Sequence, residues 1–337
     1  MQTQIIRILT LLVFLGISSH SVVVQSTFAK DSNAEDTMQA EGEKASSTQS
    51  PIAQSYYGAF PKRSAMPTHT AGLLDEISFL FAVDGSKQPQ DFGVNANLGG
   101  HTSVNWGVPV FKEFGIGAQL GTGFTASSNA VRVYELLGES TGRTQSFTTV
   151  GLFQRSDSGL AWGFVHDFLS EKSFDTFHLG QWRIRGSYIL SSNNEIGVTS
   201  SLHSYSDDGI FGASTPVTLS PIEQGSLYYR HFWGTGAQTT VWFGIADKHG
   251  ENNAVTGPSP AKHNPFLFGA DVMMPLTASL AIYGETNMIT PSDTGTVDAF
   301  LGVQWFPGKR AFSARRGSFS PLMPLAAPTS FAVDLAQ

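Results

Sequence analysis

The sequence predicts an all-β fold, an antiparallel up-and-down transmembrane β-barrel of about 12 strands spanning residues 75–307. Three observations predict it. Apolar and polar side chains alternate with a period of two, only 14% of the residues are charged while mean hydropathy is -0.05, and short and long connections alternate along the chain. Each is typical of strands that present one face to lipid and the other to an enclosed interior.

The alternation is clearest in residues 177–190, FHLGQWRIRGSYIL. One face of this stretch is apolar and the other is polar or charged: the first contains Trp182, Ile184, Tyr188 and Leu190, the second Gln181, Arg183, Arg185 and Ser187. A transmembrane β-strand needs about 10 residues with such an alternation. We therefore use this stretch as the template for the other strands.

The composition excludes several other classes of protein. A helical membrane protein would be far more apolar, and a typical soluble domain has about 25% charged residues. There are no cysteines, so disulfides and thiolate metal sites are excluded. A net charge of -7 provides no basic footprint for nucleic acid, and we expect no nucleic-acid partner.

The two ends of the chain differ from the alternating region. Residues 1–29 resemble a cleaved signal peptide, and an uncleaved membrane anchor is the alternative. The composition of residues 30–74 predicts a disordered polar leader. Residues 308–337 form a basic tail containing three prolines, which are incompatible with a membrane strand. We expect a disordered, solvated tail, with a partner-binding segment as the alternative.

Twelve strands satisfy the period-two test. The first begins near Asp75 and the second runs from about Phe92 to Val108. The others lie near 114–124, 144–154, 159–169, 177–190, 195–205, 223–233, 236–247, 266–275, 277–288 and 296–306. Gly99 and Gly100 could form a bulge in the second strand or a tight hairpin, and an even strand number favours the bulge.

The connections support a meander. Short turns are predicted at 110–113, 155–158, 191–194, 234–235 and around Leu276, and longer segments at 125–143, 170–176, 206–222, 248–265 and 289–295. Outer-membrane barrels have short periplasmic turns and long outer loops. Aromatic residues near strand ends fit the girdles of such barrels, although aromatics also favour strands in general: Trp106, Trp162, Phe168, Tyr229, Trp233 and Trp305.

No motif specifies an enzyme, a cofactor or a metal site, and we expect none of the three. The polar loops at 247–253 and 207–209 could be weak cation sites or ordinary loops. Their compositions are ordinary for loops, and we prefer the second interpretation. A lipid-acting enzyme would need a Ser and a His within hydrogen-bond distance on the outer surface or rim. Ser201 and His203 share a face, but that face is assigned to the lumen.

The charged residues assigned to the lumen are the candidate functional residues: Arg183, Arg185, Arg230, Asp271, Glu285 and Asp298. Charges facing each other across a water-filled pore would orient polar solutes. Alternatively, opposite charges pair and plug a lumen of this intermediate size. The sequence leaves both interpretations open.

Four stretches resemble an uncharacterised family of exported barrel-like proteins from planctomycete bacteria: DGSKQPQDFGVNANLGG (84–100), RTQSFTTVGLFQR (143–155), HGENNAVTGPSP (249–260) and TGTVDAFLGVQWFPG (294–308). The resemblance covers roughly 75–308. It implies an outer-membrane-like barrel of unknown role and assigns no catalytic residues.

The leading functional hypothesis is an integral outer-membrane β-barrel, either a porin-like passive channel for small polar solutes or a structural barrel. Its expected partners are outer-membrane lipid and small polar solutes, and the sequence gives no oligomeric state. One alternative is a secreted or periplasmic soluble β protein with a binding or structural role. A lipid-acting outer-membrane enzyme is the other.

Overall fold

The structure is a computed structural model that describes residues 75–87, 96–129, 133–136, 138, 140–212, 214–247, 265–290 and 296–336. Its strands are β1 Ile77–Lys87, β2 Asn97–Phe111, β3 Ile116–Asn129, β4 Gly142–Arg155, β5 Leu160–Lys172, β6 Thr176–Ser191, β7 Asn194–Tyr205, β8 Asp207–Phe211, β9 Thr215–Pro221, β10 Gln224–Phe232, β11 Gln238–Ala246, β12 Phe266–Pro275, β13 Leu280–Ile289, β14 Val297–Trp305 and β15 Val333–Ala336. A single helical turn, α1, spans Val133–Leu136, and 3-10 turns span Lys112–Phe114 and Ala311–Ser313.

Twelve of these strands close into one barrel, in the order β1-β14-β13-β12-β11-β10-β7-β6-β5-β4-β3-β2. Every neighbouring pair is antiparallel, and the first and last strands meet with Phe79 opposite Trp305. Strands β8 and β9 form a hairpin between β7 and β10, and β15 pairs with β9 in a separate three-stranded sheet. The predicted fold class and strand number are therefore confirmed.

Strand β2 continues without interruption through Gly99 and Gly100, which pair regularly with β1 and β3. The prediction of one long strand is therefore confirmed. A hairpin at these glycines would have made the strand number odd. The predicted bulge at these glycines is wrong. The irregularity in β2 lies at its other end, between Pro109 and Phe111, where proline cannot donate to the ladder.

The two faces of the wall differ as the alternation predicts. In β5 every second residue is buried, and β4 follows the same pattern except at the half-buried Gly151 and Arg155, whereas the intervening side chains Val150, Phe164 and Phe168 are exposed on the outside. Around the barrel the exposed outer side chains are mostly aromatic or aliphatic: Phe81, Phe124, Leu227, Tyr229, Val241, Phe243, Phe268, Leu301 and Trp305. In β6, Trp182, Tyr188 and Leu190 are exposed, but Ile184 is covered and only 3% exposed.

The connections lie at two ends of the barrel. Short turns at 112–115, 156–159, 192–193, 233–237 and 276–279 define the short-turn end, and the connection containing β8 and β9 lies at the opposite, long-loop end. The segment 170–176 was predicted to be long, but β5 and β6 extend through it and leave only residues 173–175 between them. Pairing of Lys172 with Thr176 explains the difference, since the ladder continues to the very tip.

The C-terminal segment, residues 308–336, corrects the prediction of a disordered, solvated tail. Its side chains Leu322, Met323, Ala326, Phe331 and Val333 are buried, and its backbone bonds to inward-facing side chains of the wall. The predicted signal peptide (1–29) and leader (30–74) lie outside the described residues. No helix in the described part of the chain is long and apolar enough to cross a membrane.

Candidate functional site

The C-terminal segment runs through the barrel from one end to the other. At the short-turn end, Ala311 N–H donates to Ala278 O at 2.9 Å, and Arg316 Nη2 donates to Ser192 O at 2.6 Å. At the long-loop end, Ile222 N–H donates to Ala332 O at 2.9 Å and β15 pairs with β9. The segment therefore crosses the entire lumen.

Inward-facing side chains hold the backbone of the segment in mid-lumen. Gln119 Nε2 donates to Met323 O at 2.8 Å, and Arg183 Nη2 donates to Pro324 O at 2.9 Å. Thr149 Oγ1 accepts from the Ala326 amide at 3.1 Å. Prolines at 321, 324 and 328 prevent this stretch from forming a further strand, so wall side chains satisfy its polar groups instead.

Several apolar clusters join the segment to the wall, and two of them are large. The first contains Phe147, Leu169, Phe177, Leu179, Phe211, Leu219, Ala326, Phe331 and Val333, and the second contains Leu80, Met273, Ala281, Tyr283, Phe300, Phe306, Ala311, Ala314 and Ala327. The Phe147 and Phe331 rings lie 6.1 Å apart. Each cluster combines inward wall residues with residues of the segment, so the lumen has a packed core.

Inward-facing glycines provide room for the segment. A Cβ on Gly107 would lie 1.9 Å from the carbonyl oxygen of Phe319, and one on Gly121 would lie 2.5 Å from a methyl carbon of Leu325. The close approach of Phe319 to β2 therefore requires glycine at position 107.

The structure places the six predicted lumen charges on the inner side of the wall, each no more than 9% exposed. Arg183 pairs with Asp167 of β5, while Arg185 and Arg230 both lie 3.5 Å from Glu195 Oε1 of β7. Asp271 Oδ1 lies 2.8 Å from Arg315 Nη1 in the C-terminal segment. These arginines therefore pair with carboxylates of nearby strands, and Asp271 pairs with the segment.

The other two predicted charges have different surroundings. Glu285 accepts hydrogen bonds from Tyr283 at 2.5 Å and from Thr329 of the segment at 2.7 Å. Asp298 is fully buried on β14, at the position opposite Ser86 of β1.

Sequence reasoning missed the partners Asp167, Glu195 and Arg315. The first two lie at inward positions of their strands, so the same alternation could have identified them. Arg315 gave no such signal, because nothing in the tail's composition indicates that it enters the barrel.

The rim at the short-turn end carries a smaller ion-pair group. Arg310 lies 3.7 Å from Asp75 and 3.5 Å from Glu76, and Asp75 and Glu76 immediately precede β1. Burial raises the pKa of Glu76 above its ordinary value, although the Arg310 charge acts in the opposite direction. This contact attaches the start of the C-terminal segment to the start of the barrel.

Two Ser–His pairs meet the distance criterion for a lipid-acting site. On the outer surface His166 Nε2 lies 3.3 Å from Ser204 Oγ, and at the long-loop rim His203 Nε2 lies 2.8 Å from Ser206 Oγ. Trp182 packs edge-on against His166 at 4.4 Å. Among the described residues neither imidazole contacts a carboxylate that would orient it, and Ser201 is not the partner of His203.

Small cavities remain beside the segment. One of about 90 Å³ is lined by residues that include His101, Tyr283 and Arg315, and one of about 100 Å³ by residues that include Ser201, Trp242 and Thr329. Each has room for a few water molecules at most.

The fold and the occupied lumen define a class of protein: a closed 12-stranded antiparallel β-barrel with an internal segment. The chain belongs to a family of unknown function, DUF6666, whose match covers residues 76–333. That match includes both the barrel and nearly all of the C-terminal segment. A comparison with curated proteins finds no match.

Several solved outer-membrane barrels are similar to the chain. An outer-membrane channel from Pseudomonas putida F1 has 11% identity and a TM-score of 0.47, with 68% of this chain and 92% of that one covered. The KdgM porin in complex with oligogalacturonate has 7% identity and a TM-score of 0.39, with 67% and 98% covered. Outer membrane phospholipase A from Escherichia coli has 10% identity and a TM-score of 0.38, with 72% and 94% covered. With TM-scores below 0.5, these likenesses support no functional assignment.

Proposed function

We propose that this protein is an outer-membrane β-barrel whose lumen is held closed by its own C-terminal segment, and that it conducts small polar solutes only when the segment leaves. One observation carries the proposal. Residues 308–336 cross the lumen from the short-turn end to the long-loop end and bond to the wall along the way.

The outer surface supports insertion into a membrane. Large apolar side chains point outward on nearly every strand, and Phe243, Leu227 and Leu301 are about 60% exposed, at 61%, 60% and 60%. A soluble protein rarely exposes a continuous apolar surface of this extent. The predicted signal peptide agrees with export to an outer membrane, and a planctomycete source stays a prediction from the sequence resemblance.

Closure is supported by the chemistry of the inner face. In a permanently open pore the inward face would be polar throughout, but Phe147, Leu169 and Leu179 are apolar and inward. Their burial is explained by Phe331 and Ala326 of the segment. The same wall also carries many buried polar groups, which a departing segment would expose to water.

Conductance in planar bilayers tests the proposal. The full chain should be silent, and a variant ending at Pro307 should conduct, since β1 and β14 close the barrel without the segment. A folded truncated barrel that remained silent would contradict the channel and leave a structural barrel. A full chain that conducted steadily would contradict closure by the segment.

A disulfide lock provides the matched control. The chain has no cysteines, so Thr149→Cys with Ala326→Cys creates the only possible pair, at a site where the Ala326 amide bonds to Thr149. The oxidised variant should stay silent under conditions of mild denaturant that open the wild-type barrel. Reduction should restore that opening, and equal opening in both states would contradict movement of the segment.

Membrane insertion is tested separately. Sodium carbonate should leave the protein in washed membranes, and detergent should release it. Release by carbonate alone would instead favour the soluble secreted or periplasmic form.

A lipid-acting hydrolase is a second candidate, favoured by the pair His166 and Ser204 on the outer surface. A Ser hydroxyl beside an imidazole is the arrangement needed for nucleophilic attack on an ester. Ester hydrolysis in mixed micelles should then be lost in Ser204→Ala and retained in Ser201→Ala. Absence of hydrolysis in the wild type, or its persistence in Ser204→Ala, would contradict this candidate.

A further inference from the structure

A buried carboxylate near the long-loop end lacks any compensating contact. Asp84 of β1 faces the interior and is 0% exposed, yet neither of its carboxylate oxygens has a hydrogen-bond partner. No ion pair joins it to a cation within the described residues. Burial of an unpaired ionised carboxylate costs several kcal/mol, so such a group requires an explanation, which is often a bound ion or water.

The pairing of β1 places further oxygen donors around Asp84. Ser86, two residues later on the same face, lies opposite Asp298 of β14 on one side and opposite Asn97 of β2 on the other. Diagonal neighbours in an antiparallel sheet are about 7–8 Å apart at the backbone, which long or polar side chains can bridge. Asp84 is thus a diagonal neighbour of both Asp298 and Asn97, which are 0% and 2% exposed.

Arg143 of β4, an arginine on this part of the wall, does not satisfy Asp84. Across the sheet, Asp84 lies opposite Gly99 of β2, Gly99 lies opposite Ser127 of β3, and Ser127 lies opposite Arg143 of β4. Arg143 is therefore three strands away from Asp84. Its Nη2 atom lies 3.3 Å from Glu171 Oε2, a buried carboxylate of β5. The guanidinium therefore pairs with Glu171, and its field reaches Asp84 only from a distance.

We propose that Asp84, Asp298 and Asn97 form a Ca²⁺ site on the lumen side of β1, β2 and β14. The donors are carboxylate and amide oxygens, which Ca²⁺ binds in flexible geometry at 2.3–2.6 Å and which soft transition metals do not prefer. No group of three His, Cys, Asp or Glu residues that could hold a metal ion occurs in the described part of the chain. The proposed site therefore has two carboxylates, and amide, hydroxyl or water oxygens complete the coordination. The ion neutralises the buried charge of Asp84.

The position of the site gives it a structural consequence. Strands β1 and β14 form the seam where the two ends of the barrel sheet meet. An ion held by Asp84 on one strand and Asp298 on the other bridges that seam. This site is independent of the C-terminal segment and of the proposed channel.

Calcium titration of the refolded full chain in detergent tests the proposal by calorimetry and by thermal unfolding. The unfolding midpoint should rise with CaCl₂ and fall after addition of a chelator, and MgCl₂ should have a smaller effect. Asp84→Asn should abolish the calcium-dependent rise, and Asp298→Asn should weaken binding at least tenfold. Asp208→Asn, an exposed carboxylate on β8, is the matched control and should bind as the wild type does.

Two results would overturn the site. One is a wild-type midpoint that does not change up to several millimolar CaCl₂, and the other is an Asp84→Asn variant that retains wild-type affinity. If Asp84→Asn does not fold, Asp298→Asn provides the test. A loss of calcium affinity in this variant supports the site, and wild-type affinity overturns it.

Discussion

The barrel wall and the C-terminal segment are stabilised in different ways. The wall is held by ladders in which each strand bonds to two neighbours, and buried side chains alternate with more exposed ones along β5 and most of β4. The segment makes almost no ladder of its own: only β15 at its end pairs, with β9. Elsewhere its polar backbone groups bond to wall side chains such as Gln119 and Arg183. A regular wall thus binds an irregular segment through specific side-chain contacts.

This difference separates the two regions energetically. Removing a contact from the segment weakens its attachment while the ladders of the wall persist, because few backbone bonds link the two. Removing a buried wall contact instead affects the whole barrel. The predictions below test that separation, beginning with the largest expected effect.

The largest effect is expected for the buried ion pair of the wall. Asp167→Leu leaves Arg183 buried without its carboxylate, and breaking such a pair costs about 3–5 kcal/mol. The free energy of unfolding in denaturant, measured in detergent, should fall by that amount.

The double variant is the control for that prediction. Adding Arg183→Met to Asp167→Leu removes the unpaired charge and should recover most of the stability, because apolar replacements of buried pairs are often neutral. A double variant no more stable than Asp167→Leu would contradict the role of the ion pair.

Most of the wall could be predicted from the sequence because a period of two is a local property of each strand. The predicted strand 177–190 became β6, Thr176–Ser191, with the arginines inside and Trp182 outside. Strand ends were less predictable. The segment 170–176 resembles a polar loop, but cross-strand pairing of Lys172 with Thr176 extends both strands through it.

The occupied lumen could not be predicted in the same way. Residues 308–337 have no periodicity, and three prolines and four basic residues are also typical of a solvated tail. What places them inside is complementarity with distant wall residues, such as Asp271 for Arg315 and Gly107 for Phe319. The available signal was on the wall, where inward apolar residues such as Phe147 and Leu169 do not suit a water-filled pore.

An effect of similar size, but confined to the segment, is expected for the apolar contact of the segment. Phe331 is fully buried against Phe147, and truncation of a buried phenylalanine costs about 3 kcal/mol or more. In Phe331→Ala, hydrogen exchange should accelerate in residues 322–333 and change little in the wall strands.

The matched control for Phe331→Ala is Phe243→Ala. The Phe243 side chain is 61% exposed on the outer face, so its truncation should leave exchange of the segment unchanged. Equal acceleration in the wall and the segment of Phe331→Ala would contradict the energetic separation of the two regions.

A smaller effect is expected at the closest backbone approach. Gly107→Ala places a methyl group 1.9 Å from Phe319 O, and overpacking of this kind costs about 1–3 kcal/mol. The segment should shift and become sensitive to protease near residue 319. Gly100→Ala is the control, since its added carbon meets only Ala82 O at 3.9 Å. Similar protease sensitivity in both variants would contradict a specific fit at Gly107.

The smallest effect is expected at the long-loop end. Asp175, in the turn between β5 and β6, accepts from Ile210 N–H at 2.9 Å and from Thr176 N–H at 2.7 Å, and these bonds lower the pKa of its carboxyl. Because the folded pKa is the lower one, the contribution of Asp175 to stability is present above the ordinary aspartate value of about 4 and is lost as the pH falls through the folded pKa.

Thermal unfolding between pH 7 and pH 3 measures this contribution. Asp175→Asn should unfold slightly earlier than the wild type at neutral pH, and the difference should shrink at the acid end, as the Asp175 carboxyl takes up a proton. Since Asp175 attaches β8, which pairs with β9, and β9 pairs with β15, its loss should also accelerate hydrogen exchange in β15. A difference that grew as the pH fell would contradict the lowered pKa and the link from this turn to the end of the C-terminal segment.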